Sequence, residues 1–231
     1  MNSEINHLIA NLENIVSRDL LSKKTDSYDL LTFSSIQAAL ESAKYFNEKM
    51  YKVTNFANDL ALLTHAMSIR NIDGQILEFG VSSGRTINHI SSLIEGTVFG
   101  FDVFTGLPEV WRTGFPQGLF SRQDLPVVNK NVELIIGLFE STLDNFVKNS
   151  NKPISLLHID CDLYSATKTI FEKLGDLIRP GTVIIFDEYF NYPGWQHHEF
   201  KAFQEYVVNK KVKYRYDSFV SEHQQVCVVI E

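Results

Sequence analysis

Residues 75–102 read QILEFGVSSGRTINHISSLIEGTVFGFD. The stretch opens on a short apolar run, QILEFG, and turns between two glycines, Gly80 and Gly84. It continues as RTINHISSLI at helical spacing and closes on a second apolar run, GTVFGFD, that stops at Asp102. Each run is continuously hydrophobic rather than alternating. That pattern marks strands covered on both faces, as in a parallel sheet flanked by helices. Strand, turn, helix, strand is therefore the reading, and the rest of the chain repeats it.

Working outward, VELIIG, ISLLHID and TVIIFD are further buried-strand runs, and STLDNFVKN and SATKTIFEKLGDLI are the crossover helices between them. RPG at 179–181 reads as a stop signal. Repeated strand–helix alternation predicts a doubly wound α/β fold. HHEFKAFQEYVVNKK follows as a helix, and VKYRYDSF and QQVCVVIE as two closing strands joined by a polar turn. Up to about residue 70 the rhythm is helical. Ile36, Ala39, Leu40 and Phe46 share one face of a first helix, and Phe56, Leu60, Leu63 and Met67 one face of a second. No strand signal appears there. The division expected is 1–70 as a helical cap or interface segment and 71–231 as the main domain.

Composition narrows the class. The 231 residues are 44% hydrophobic, and 21 Lys and Arg stand against 28 Asp and Glu for a net charge of −7. No basic block interrupts this balance, which argues against a nucleic-acid partner. Cys161 and Cys227 lie in apolar runs without metal-ligand spacing and are expected to be free buried thiols. The start, MNSEINHLIANLENIV, lacks a basic head and a long apolar run, so neither a secretory leader nor a membrane span is expected. A cytoplasmic protein fits these features. Residues 103–131, with three prolines, three glycines and no helical or strand rhythm, predict a long binding loop or lid after the second strand.

In an open α/β sheet, ligands bind beyond the carboxyl ends of the strands, where strand order reverses. Gly80 and Gly84 let the backbone approach a ligand there. The turn departs from the dinucleotide fingerprint GxGxxG, since Ser82 holds the second glycine position and Gly84 comes one residue early. Asp102, twenty-two residues after Gly80, suits a carboxylate receiving ribose hydroxyls. LLHIDCD and TVIIFDEYF each end in acids, so Asp160, Asp162, Asp187 and Glu188 converge if these strands are neighbours. A dinucleotide site has no use for such negative charge beside its pyrophosphate, whereas a hard divalent cation such as Mg²⁺ prefers oxygen ligands of this kind.

LEFGVSSGRT, GFDVFTGLPEVW, GLFESTLDNF, LLHIDCDLYSATK and RPGTVIIFDEYF, in that order, resemble the class I S-adenosylmethionine-dependent methyltransferases, specifically the Mg²⁺-dependent macrocin O-methyltransferase family. The likeness covers about 75–205. It implies a Rossmann-like, seven-stranded, mostly parallel sheet with an antiparallel strand near the C-terminus and an N-terminal helical extension. By the same resemblance, Glu78, Gly80 and Gly84 line the methionine end of S-adenosylmethionine, with Ser82, Arg85 and Asp160 also in contact. Asp102 takes the ribose, Gly137, Leu138 and Phe139 border the adenine, and Asp160, Asp187 and Glu188 hold the Mg²⁺. Glu188 stands where a shorter acid or amide is usual, and Leu163 where related catechol-type enzymes have a lysine.

Methyl transfer to oxygen requires alignment and a base. A cation gripping two neighbouring oxygens favours a vicinal diol of a sugar or other small metabolite. Asp160, Asp162 and His197 are the candidate catalytic side chains, with His198 as an alternative to His197. Trp111, Tyr189, Tyr192 and Trp195 are candidates for a stacking floor. HHEF is not a zinc-protease signature, because Ala202 holds the second His position. Alternatives are a metal-independent small-molecule methyltransferase, an NAD-dependent oxidoreductase, and a non-catalytic adenosine-cofactor module. The N-terminal helices offer a homo-oligomer contact.

Overall fold

β2 (Gln75–Phe79) is buried at every position, its polar Gln75 and Glu78 included, and has strands on both sides. The computed structural model describes residues 10, 11, 14, 27–150 and 152–231; most of the MNSEINHLIANLENIV reading therefore lies outside the described residues. In chain order the elements are α1 (Leu30–Lys49), β1 (Thr54–Phe56), α2 (Asp59–Ser68), β2, α3 (Arg85–Ser92), β3 (Val98–Asp102), β4 (Val132–Ile136) and α4 (Phe139–Asn149). They continue with β5 (Ile154–Ile159), α5 (Tyr164–Leu174), β6 (Ile178–Phe186), α6 (Glu199–Lys210), β7 (Tyr214–Val220) and β8 (Val226–Ile230).

The eight strands form one sheet in the order β1-β7-β8-β6-β5-β2-β3-β4. All neighbours are parallel except β6/β8 and β7/β8. From β2 the chain steps outward through β3 to β4, then returns to β5 on the other side of β2. The crevice between β2 and β5 is the place where direction reverses. Its register pairs Glu78 with His158 and Phe79 with Ile159, which sets Gly80 beside Asp160.

Both sheet faces are apolar, which explains the absence of alternation in the strand sequences. Leu77, Phe79, Leu157, Ile159, Ile184 and Phe186 point into one core layer with α4, α5 and α6. Ile76, Leu156, Val183 and Ile185 point into the other, with α2 and α3. Cys161 and Cys227 are free and buried, as expected.

Two features differ from the sequence reading. To the seven strands implied by the resemblance the structure adds β1, whose Thr54, Asn55 and Phe56 pair with Ser218, Phe219 and Val220 of β7. Three residues are too few to carry a period, so this edge strand is defined by its partner alone. RPG does not stand between a helix and a strand; it lies inside β6, where Ile154 pairs with Ile178 but Leu156 pairs with Val183. This bulge absorbs Pro180 and the positive φ of Gly181, and the Thr182 hydroxyl caps it by donating to the Ile154 carbonyl at 2.7 Å.

The ends of α1 and α2 follow local chemistry. Asp29 accepts from the Leu31 N–H, and Asn58 from that of Ala61. α1 is held against the β7 end by Tyr45, which meets Trp195 and Phe200 edge-on and hydrogen-bonds Tyr216. Residues 103–131 contain only one isolated bridge, Arg112 with Phe115. The loop still folds back on itself: Leu107 N–H donates to the Leu119 carbonyl, the Leu107 carbonyl accepts from Gly118 N–H, and Arg122 N–H donates to the Phe104 carbonyl.

Candidate active site

A cavity of about 590 Å³ opens at the carboxyl ends of β2, β3, β4 and β5. Its floor is the turn after β2. Gly80 has φ of +92°, and a Cβ there would stand 1.6 Å from the Asp160 carbonyl oxygen, so only glycine lets the two strand ends lie this close. Gly84, at φ +80°, closes the turn by donating to the Val81 carbonyl and releases the chain into α3. Asp102 secures the turn from β3: one oxygen accepts from Val81 and Ser82, the other from Phe104.

Gly80, Ser82, Gly84's neighbour Arg85, Asp102, Gly137, Leu138, Phe139 and Asp160 all face this cavity, as do Asp162 and Glu188. Arg85 is also paired with Asp59 at the start of α2. The long loop contributes Gly106, Leu107, Pro108 and Phe120 to the wall, and Glu109 ties it to α5 by accepting from the Ser165 hydroxyl at 2.7 Å.

Other expected residues lie elsewhere. Gly84 borders the turn but is not on the cavity wall. Glu78 is fully buried beneath it, accepting from Thr86 Oγ1 on one oxygen and contacting His158 Nδ1 with the other, both at 3.0 Å. His197 is exposed on the short turn Trp195–His197 and does not reach the cavity. His198 is half-buried, 6.0 Å from the rings of Trp111 and Tyr192; burial, then His197 and Arg112, lowers its pKa to about 4. Tyr189, Tyr192, Trp195 and Trp111 are buried core residues rather than a stacking floor, because their rings pack against one another and against α1 and α6. Arg112 lies in this aromatic layer, with its guanidinium 4.2 Å from the Trp111 ring and 4.3 Å from that of Phe115.

The acids do converge. Asp160 and Asp187 end adjacent strands, and His158 brings a ring nitrogen within 4.8 Å of their carboxylate oxygens. Asp187 accepts from Gln225 Nε2 at 2.8 Å. Glu188 reaches the cavity, and its Oε2 is buried without a hydrogen-bond partner among the described residues. Asp162 sits at φ +63°; burial and then the Asp187 charge raise its carboxyl to about 7, against the opposing pull of Arg112. Burial, and then neighbouring carboxylates, hold Asp160 and Glu188 well above the ordinary range. This collection of acids repels itself unless protons or a cation enter.

Residues 77–189 match a family model described as a methyltransferase domain. The matched stretch, just under half of the chain, holds the glycine turn and the acids of the site. No curated protein is similar enough in sequence to be matched. Among solved structures, the calicheamicin methyltransferase CalS11 is 19% identical with a TM-score of 0.59, covering 90% of this chain and 98% of that one. The O-methyltransferase NovP is 20% identical with a TM-score of 0.56, covering 74% of this chain and 78% of that one. A Bacillus cereus O-methyltransferase in complex with SAH is 19% identical with a TM-score of 0.50, covering 92% and 96%. At these identities the likeness establishes the fold. No helix among the described residues is long and apolar enough to cross a membrane.

Two residues of the site go unnoticed in the sequence reading. Glu199, fully buried in the first turn of α6, accepts from the backbone N–H groups of Cys161 and Glu188, both at 3.3 Å, and so clamps the tips of β5 and β6 together. Its signal was present: Ala202, Phe203 and Tyr206 continue the same helix face into the core. His158 is the one strongly polar side chain inside an otherwise apolar run, and that contrast is the signal that could have found it.

Proposed function

We propose that the protein is an S-adenosylmethionine-dependent, divalent-cation-assisted O-methyltransferase acting on a hydroxyl of a sugar, glycoside or other small diol-containing metabolite. Within the class it is of the macrocin O-methyltransferase kind. The observation that carries the reading is the close approach of Gly80 to Asp160: the glycine turn and three acids of the cluster, Asp160, Asp162 and Glu188, open into one cavity, with Asp187 behind its wall. The residues fit the cofactor. A cradle that a Cβ would fill, an acid at the end of β3, and apolar walls at Leu138 and Phe139 suit a nucleoside with a charged tail, and the volume lies within the usual range for small-molecule sites. They also fit a cation, because the buried Glu188 Oε2 and the neighbouring aspartates are oxygen donors in want of a positive partner.

Asp102 and the turn would position the nucleoside, and Leu138 and Phe139 would exclude water from the base. Asp160 and Asp187 would hold the cation, and Glu188, open to the cavity, would support them or the acceptor. When bound, the sulfonium supplies an electrophilic methyl group and the cation lowers the pKa of a ligated hydroxyl. Asp162 faces the cavity with a carboxyl poised near neutrality, so it would accept the proton that the attacking hydroxyl gives up. His197, exposed and outside the cavity, is not assigned this task. The cap or subunit contact expected of residues 1–70 would fall to α1, because β1 and α2 are built into the sheet and its core. A small-molecule acceptor and a cytoplasmic setting complete the reading.

The test is calorimetric titration with S-adenosylhomocysteine, with and without Mg²⁺, followed by transfer of labelled methyl from S-adenosylmethionine to nucleotide sugars, glycosides and catechols. Binding together with EDTA-sensitive transfer to a diol supports the proposal. Failure to bind S-adenosylhomocysteine, or binding of NADH in its place, rejects it. Undiminished transfer by Asp187→Ala would favour a metal-independent methyltransferase.

A further inference from the structure

The resemblance assigns three oxygen-bearing residues to the cation, Asp160, Asp187 and Glu188. The geometry selects a different set. The side chains whose ligand atoms lie together, all within 4.8 Å, are Asp160, Asp187 and His158. Separations across an octahedral ion with bonds of about 2.1 Å run from about 3 to 4.2 Å, so a small inward shift closes the site on an ion.

His158 is 1% exposed on a strand whose other residues are apolar or small, and an imidazole in such a place must be satisfied. Its Nδ1 is engaged by Glu78 Oε2 at 3.0 Å, and the other oxygen of Glu78 is fixed by the Thr86 hydroxyl. A carboxylate behind one ring nitrogen sets the tautomer and leaves the other with its lone pair outward. Histidines that bind metals are backed in this manner. Among the described residues, Nε2 has no hydrogen-bond partner. Asp187 is itself oriented by Gln225, so two of the three candidate ligands are supported from behind. Fully buried, Glu78 has a role beneath the cavity: it orients His158.

We propose that His158 ligates the divalent cation through Nε2, together with Asp160 and Asp187, and that this nitrogen makes the site favour a borderline metal such as Mn²⁺, Fe²⁺ or Co²⁺ over Mg²⁺. The inference rests on the cation-assisted reading above and refines it. Imidazole suits transition metals, whereas Mg²⁺ prefers an all-oxygen shell.

Pulsed EPR on the full chain loaded with Mn²⁺ tests this without a substitution. Electron spin-echo modulation from a directly coordinated ¹⁴N is expected, replaced by the ¹⁵N pattern when the protein is grown with ¹⁵N-histidine. Calorimetry should find Mn²⁺ bound more tightly than Mg²⁺ by roughly tenfold or more. In His158→Gln, checked for folding by circular dichroism, the nitrogen coupling should vanish and the preference shrink, while His197→Ala should retain both. Mn²⁺ bound without nitrogen coupling would overturn the proposal and reduce His158 to a partner of Glu78. Absence of Mn²⁺ binding in a protein that still takes S-adenosylhomocysteine would overturn it too, and leave the methyltransferase reading standing. Loss of S-adenosylhomocysteine binding with nitrogen-coupled Mn²⁺ intact would do the reverse.

Discussion

Asp102 and Ser82 are joined across the mouth of the sheet: the Ser82 N–H donates to Asp102 Oδ2 at 2.8 Å, and the same oxygen takes the Val81 N–H at 2.9 Å. The residue expected to meet a ribose therefore also holds the turn that approaches the cofactor. Its second oxygen, which accepts from Phe104 at 2.7 Å, fixes the start of the long loop.

Asp102→Asn should expose this dual role. An amide keeps one acceptor oxygen and turns an N–H₂ toward a backbone donor, which costs about 1–3 kcal/mol for the unsatisfied group. S-adenosylhomocysteine affinity should fall at least about tenfold and the melting temperature should drop with it. Unchanged affinity in calorimetry would show that the turn does not depend on this carboxylate.

Gly80 and Gly118 make a matched pair. Both have positive φ, but a Cβ at Gly80 meets the Asp160 carbonyl at 1.6 Å while one at Gly118 meets nothing within 4 Å. Gly118→Ala should lose only the left-handed backbone penalty, about 1–2 kcal/mol. Gly80→Ala should lose more than that and abolish S-adenosylhomocysteine binding, because β2 and β5 must separate. Chemical denaturation of the two variants side by side decides the point, and equal losses would refute the close-approach argument.

Cation binding should be read most clearly at alkaline pH. Burial, and then neighbouring carboxylates, raise Asp160, Glu188 and Glu199 above their ordinary values, so the folded state holds protons that the unfolded chain releases. Stability without metal is fullest below the unfolded carboxylate pKa and declines as pH rises toward the raised folded values. A divalent ion replaces those protons. The thermal shift on adding Mg²⁺ or Mn²⁺ should be larger at pH 8 than at pH 6 and reversed by EDTA. A shift independent of pH would contradict this account of the cluster.

Tyr216 joins hydroxyls from α1, from its own strand β7 and from the segment after β6. It contacts Tyr45 on α1, Tyr189 at 2.7 Å and Tyr214 at 3.2 Å, and Gln204 donates to both Tyr189 and Tyr214 at 3.0 Å. Tyr216→Phe leaves the Tyr45 hydroxyl without its partner, while Tyr189 and Tyr214 keep Gln204, and should cost about 1–3 kcal/mol. The denaturation midpoint should fall without a change in slope, cleavage within 30–49 should quicken, and S-adenosylhomocysteine affinity should stay the same. An unaltered midpoint would mean that α1 is held by its aromatic packing alone.

What was legible in the sequence was what neighbours along the chain can encode. Continuous apolar runs announced β2 to β6, most plainly β2, β5 and β6 where both sheet faces are covered, and the glycines after β2 announced a close approach. Acids at two strand tips announced a charge cluster, since nothing apolar could explain them there. β1 was illegible because three residues carry no period. Tyr189, Tyr192 and Trp195 looked like a binding surface because composition does not reveal which way a ring points.

By itself, the amino-acid order determined the α/β alternation, the glycine turn and the presence of four acids at two strand ends, all consequences of local pattern. Only the tertiary structure decided which side chains share the site. The pairing of Glu78 with His158, the clamp of Glu199 on Cys161 and Glu188, and the exclusion of His197 from the cavity all depend on register and packing between segments 11–80 residues apart. Contacts at that range arise when separate elements are driven together by burial of their apolar faces, and no local run of residues specifies them.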